Sequence, residues 1–74
     1  MTYNTRIYGG LDENLHWCSE NSIPARVFET FDGGGFCGYI LEFQSREHLD
    51  AFCHHENMHH GKWIERDDGS HQSL

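Results

Sequence analysis

ILEFQSREHLDAFCHHENMHHG, residues 40–61, is the stretch whose reading decides the fold of this chain. Its opening residues, Ile40 to Phe43, form a short strand-forming run. Ser45 follows where a helix N-cap belongs, with a hydroxyl that can accept from an orphan backbone N–H. Glu47 falls in the first turn, where the positive end of the helix dipole favours an acid. Leu49, Phe52, Cys53 and His60 recur at helical spacing and make a narrow stripe. Gly61 is a residue suited to a left-handed stop. The pattern predicts one amphipathic helix over 46–60, fed by a strand and packed on a sheet.

Outward from that unit the signals turn to strands. Residues 36–43 alternate so that Cys37, Tyr39, Leu41 and Phe43 share one face and Glu42 lies on the other. The Asp32-Gly33-Gly34-Gly35 run before them supplies left-handed conformations cheaply, which predicts a β-hairpin with a loop of about four residues. A glycine triplet also invites a phosphate-loop reading, but no Gly-Lys-Ser/Thr follows it and it joins two strands. The partner strand, 25–31, opens after Pro24, where a missing N–H is tolerated. Phe28 is expected to join Tyr39, Leu41 and Phe43 against the helix stripe. Residues 2–8 read as another strand, closed by Gly9-Gly10. Residues 15–18 read as a second short strand because Leu15 and Trp17 alternate, with a helix over 11–20 as the competing reading. Residues 62–65 fit either a last strand or the start of a second helix. The expected fold is α+β: an antiparallel sheet of about four strands with one main helix on one face. It occupies a single domain over 1–65, followed by a flexible polar tail over 66–74.

Charge narrows the function. Twelve acidic residues against five basic ones leave a formal charge of −7, opposite to what direct nucleic-acid binding needs. The same charge suits docking on a basic surface of another protein. Three widely spaced cysteines without a CxxC pair, and no apolar leader or membrane-length run, set the expectation of reduced thiols, no membrane and a cytoplasmic location. A domain this small has limited core, so either a monomer or a homodimer is compatible with it.

Three constellations could carry chemistry. His48, His55 and His59 fall on one side of the expected helix and form a candidate zinc or nickel site, an alternative to the expectation of no cofactor. Cys37 or Cys53 beside a helix histidine could make a nucleophile–base pair. Cys53 lies on the apolar stripe, however, and so short a chain has little room for a substrate pocket, so no enzyme is expected. The third is aromatic. Tyr3, Tyr8, Trp17, Val27, Phe36 and Ile40 cannot all hide under one helix, and aromatics on an open acidic sheet suit protein binding.

A resemblance sharpens that last reading. Ile23, Ala25, Arg26 and Val27, a glycine-containing turn, and then Phe43, Ser45, Glu47, Leu49 and Phe52 with Ile64-Glu65 further on form a pattern over about half the chain. The pattern resembles the first family of phage-encoded type I-F anti-CRISPR inhibitors. The resemblance implies a phage or mobile-element inhibitor that covers a subunit of a CRISPR surveillance complex and blocks target DNA. In that family two tyrosines and a glutamate on the sheet make contact. Tyr8, or less closely Tyr3, matches one tyrosine; the other falls at Cys18 or Ser19, and Phe28 stands where the glutamate is expected, with Glu29 next. The expected contact set is therefore Tyr3, Tyr8, Trp17, Glu20, Arg26, Phe28 and Glu29, facing a basic surface of a host CRISPR effector subunit.

Overall fold

Ser45 starts the central helix as its chemistry requires. Its backbone is extended and its hydroxyl accepts the His48 N–H at 3.1 Å. The computed structural model describes residues 1–58 and 61–74, in which seven elements follow one another. They are β1 (Thr2–Ile7), α1 (Leu11–Glu20), β2 (Ala25–Asp32), β3 (Gly35–Phe43), α2 (Arg46–His55), β4 (Lys62–Glu65) and β5 (His71–Ser73). The fold is α+β, a five-stranded antiparallel sheet with two helices.

The strand order β2-β3-β1-β4-β5 interleaves two βαβ units. β1–α1–β2 straddles β3, and β3–α2–β4 straddles β1, which is the split βαβ arrangement. β5 is an addition outside β4, paired through Trp63–Ser73, Ile64–Gln72 and Glu65–His71. Residues 66–74, expected as a polar tail, thus contribute an edge strand, and Leu74 packs against the core. Backbone pairing, which polar side chains do not announce, holds that strand. Residues 62–65 resolve as a strand.

The second correction is α1. Residues 15–18 form no strand; they belong to a ten-residue helix. Its inward stripe is Leu11, Leu15 and Cys18, spaced four and three residues apart. Gly10 caps it in the left-handed region (φ 68°), and Asp12 and Glu13 occupy the first turn.

Both helices stop by one device. In α1 the Ile23 N–H reaches the Cys18 carbonyl at 2.9 Å and Ser22 N–H reaches that of Ser19, with Ser22 at φ 57°. In α2 the Met58 N–H reaches the Cys53 carbonyl at 2.8 Å and Asn57 N–H that of His54, with Asn57 at φ 56°. These are Schellman turns, each closed by an apolar residue packed back on the core. α2 therefore ends at His55, short of the expected 60, and Asn57 rather than Gly61 supplies the left-handed stop. His59 and His60 lie outside the described residues.

The sheet packs its helices on one face only. Tyr3, Thr5 and Ile7 stand opposite Phe43, Leu41 and Tyr39 and turn toward the helices. Leu41, Phe43, Leu49 and Phe52 are fully buried between sheet and α2, with the Phe43 and Phe52 rings 5.4 Å apart. In β2 it is Val27 that pairs with Leu41, whereas Phe28 pairs with Ile40 on the open face. The expectation that Phe28 joins the core is thereby corrected. No described helix is long and apolar enough to cross a membrane.

Candidate protein-docking site at the hairpin end

The β2–β3 hairpin carries an irregularity that shapes the site. Glu29 pairs with Tyr39 and Phe31 with Phe36, so Cys37 and Gly38 together oppose the single residue Thr30. This is a β-bulge, which bends and twists the strand that holds the extra residue. Gly38 sits at φ 98°, and a Cβ there would lie 2.8 Å from the Ile7 carbonyl oxygen. The Thr30 hydroxyl donates to the Gly38 carbonyl at 2.9 Å and ties the bulge across the pair. At the tip, Asp32 pairs with Gly35, leaving Gly33-Gly34 as a two-residue turn, tighter than the expected four. The Asp32 carboxylate accepts the Gly34 N–H at 2.8 Å. That bond, with a second from Cys37, holds the Asp32 carboxyl below the usual carboxylate range and keeps it ionised.

Beyond the bulge the hairpin presents aromatics to solvent. Phe31 and Phe36 meet edge to face at 6.1 Å, and Phe36 meets Tyr39 likewise at 4.9 Å. Tyr8 is 71% exposed, Phe31 66% and Phe36 51%. Single exposed apolar residues are ordinary, but three in one place are a patch. Phe36, Tyr39 and Tyr8 share a cleft of about 410 Å³ with Gly9, Gly10, Leu11, Asp12 and Glu13. The chain order explains the meeting. β1 ends, α1 begins and β3 begins at the same end of the sheet.

The corner is acidic. Asp12 and Glu13 line it, Glu29 pairs with Tyr39 in register, and Asp32 sits at the turn. No lysine or arginine is among the lining residues. The N-terminus of α1 contributes only about half a positive charge, less than the two carboxylates, Asp12 and Glu13, that line the cleft.

The residues expected to make contact separate into groups. Tyr8 and Glu29 come to the hairpin end. Arg26 and Phe28 lie together on the open face, with the guanidinium carbon 5.2 Å from the ring centroid and Nη1 3.5 Å from Glu42. Tyr3 faces the helices and packs against the core. Trp17 is on α1, edge to face with Phe52 at 6.0 Å and stacked on His55 at 4.3 Å, where it joins the two helices. Glu20 ends α1 and pairs with His16 at 2.6 Å, far along the helix from the hairpin end. Phe31 and Phe36 were readable as aromatics flanking the glycine turn; the bulge, which the sequence hides, lies between that exposed pair and Tyr39, which packs against the core.

Among the described residues the helix histidines do not assemble. His48 lies in the first turn of α2 and His55 in its last, two turns apart, about 10.5 Å along the axis. The His55 ring is committed to Trp17, and His59 falls outside the described residues. Among the described residues no group of three His, Cys, Asp or Glu is placed to hold a metal ion.

The cysteines divide in the same manner. Cys18 and Cys53 are buried, and burial pushes both thiols above their ordinary pKa, away from the reactive thiolate. Iodoacetamide is expected to alkylate Cys37 in the native protein and the other two only after unfolding. Peptide mass spectrometry reads this directly; equal native labelling of Cys53 and Cys37 contradicts the burial of α2.

No protein-family model matches this chain. No curated protein and no solved structure matches it significantly either.

Proposed function

We propose that the chain is a small inhibitor that acts by binding, without catalysis, in the cytoplasm of an infected bacterium. Its acidic aromatic hairpin end covers a basic, nucleic-acid-binding surface of a host protein. The observation that carries this reading is the exposed Tyr8, Phe31 and Phe36, with half-buried Tyr39 beside them, at an end of the sheet where Asp12 and Glu13 line the cleft and Glu29 and Asp32 lie on the neighbouring strand. Aromatics supply most of the contact energy in such interfaces. Like-signed charge at the rim speeds encounter with a basic partner and competes with nucleic acid for it. The resemblance to type I-F anti-CRISPR inhibitors makes a subunit of a type I surveillance complex the first partner to test.

The test is an electrophoretic shift of target DNA by purified type I surveillance complexes, run with excess of this protein. The wild-type chain is expected to abolish the shift in at least one subtype. Phe36→Ser is expected to raise the concentration needed by about 30-fold, the effect of losing one interface hot spot. Asp12→Lys with Glu13→Lys is expected to weaken inhibition further at low salt than at high salt. Undiminished DNA binding across all subtypes sinks the reading. Full inhibition by the Phe36 variant moves the contact elsewhere on the surface.

A further inference from the structure

The open face of the sheet carries a second feature, separate from the hairpin end. Asn4, Phe28, Ile40, Glu42, Trp63, Glu65 and His71 line a slot of about 340 Å³ across its middle. Cross-strand register explains its make-up. Arg26, Glu42, Asn4 and Trp63 form one row over four strands, with Asn4 almost wholly buried at its centre. Trp63 and Glu65 are two apart on β4 and so share the open face.

We propose that this slot binds the guanidinium of an arginine side chain from a partner protein, between Trp63 and Glu65. The chain supplies its own precedent at the other end of the slot. There Arg26 lies over the Phe28 ring, 5.2 Å from its centroid, and reaches the Glu42 carboxylate at 3.5 Å. An aromatic face beside a carboxylate is a receptor for a planar cation, because the ring quadrupole and the anion attract it together. Trp63 with Glu65 repeats that pairing, and tryptophan is the stronger aromatic for it. Among the described residues the one ionic partner of Glu65 is His71, at 3.7 Å. Glu42 has a side chain only 12% exposed, so its field inside the slot is screened less than that of a surface acid. Arg26 is itself 68% exposed and competes weakly for the shared anion.

The source of the arginine rests on the reading of the chain as a binder of a basic protein; the site itself is tested without any partner. Capped Gly-Arg-Gly and Gly-Gln-Gly peptides are titrated into the ¹⁵N-labelled protein while the two indole N–H resonances are followed. The arginine peptide is expected to shift the Trp63 indole saturably and leave that of Trp17, packed between the helices, in place. Glu65→Gln is expected to weaken binding about fivefold, the scale of one partly screened ion pair. Arg26→Gln, by vacating Glu42 and Phe28, is expected to tighten it. An unmoved Trp17 resonance in both variants shows that they are folded. The absence of a saturable Trp63 shift overturns the proposal, as does equal binding of the glutamine peptide or of the Glu65 variant. A Trp63 shift caused instead by a short uridine oligonucleotide also overturns it. Loss of arginine binding here leaves DNA-shift inhibition by the hairpin end intact, so the two readings fail separately.

Discussion

Phe52→Ala is expected to leave the protein largely unfolded at 37 °C. Phe52 has no solvent exposure and is the side chain on which both helices and the sheet converge. Its ring lies 5.4 Å from Phe43 below and 6.0 Å from Trp17 on α1. Truncation removes both contacts and opens a void that Leu49 and Cys53, held on the same helix, can fill only in part. Such a change costs about 3–5 kcal/mol. A 74-residue domain has only about 4–11 kcal/mol in total, at the usual 0.05–0.15 per residue. Thermal circular dichroism is the measurement, and a fall in Tm of about 15 °C or more is expected, since each kcal/mol moves a domain of this size by several degrees. A shift under about 5 °C contradicts the central place given to α2.

Gly38→Ala is expected to be nearly as severe and to damage the site as well. The new methyl would meet the Ile7 carbonyl oxygen at 2.8 Å, a backbone atom fixed by the β1–β3 ladder, and the Tyr8 ring at 3.0 Å. At φ 98° the residue is also strained by any side chain. Together these cost about 2–4 kcal/mol. Gly33→Ala is the control: nothing lies within 4 Å of its Cβ position, and a change within about 0.5 kcal/mol is expected. Urea unfolding of the pair separates a bulge that requires glycine from a hairpin that merely contains several. Equal midpoints contradict the bulge. Because Tyr8 rests on Gly38, the Gly38→Ala protein is also expected to lose the proposed inhibition at concentrations of urea where it is still folded.

The parts of the fold that the sequence made legible are those where local chemistry and tertiary burial agree. Ser45, Glu47, Leu49, Phe52 and Cys53 each prefer the place they take, and β1, β2 and β3 appear within a residue or two of their expected ends. The failures come from competition between patterns. Leu15 and Trp17 alternate as a strand would, but Leu11, Leu15 and Cys18 carry the helical period, and Trp17 flanks that stripe. The segment's borders, Gly10 and Ser22, are both left-handed and punctuate a helix. In β2 either face carries an aromatic, so Phe28 and Val27 could not be told apart until the register with β3 was known. The bulge at Cys37 and Gly38 depends on a contact with Ile7, far earlier in the chain, which no local pattern reports. For the same reason the site was legible only in its ingredients: an acidic chain, surplus aromatics and a glycine hairpin. Their meeting with Tyr8, Asp12 and Glu13 is a product of topology.

Hydrogen exchange of this chain, alone and with any type I surveillance complex whose DNA binding it is found to block, tests the proposed placement of function most directly. Slowed exchange is expected over residues 8–13 and 31–39, the two segments that build the hairpin end, with α2 unchanged. Protection centred on α2 and its histidines, or no protection with any complex, would contradict it.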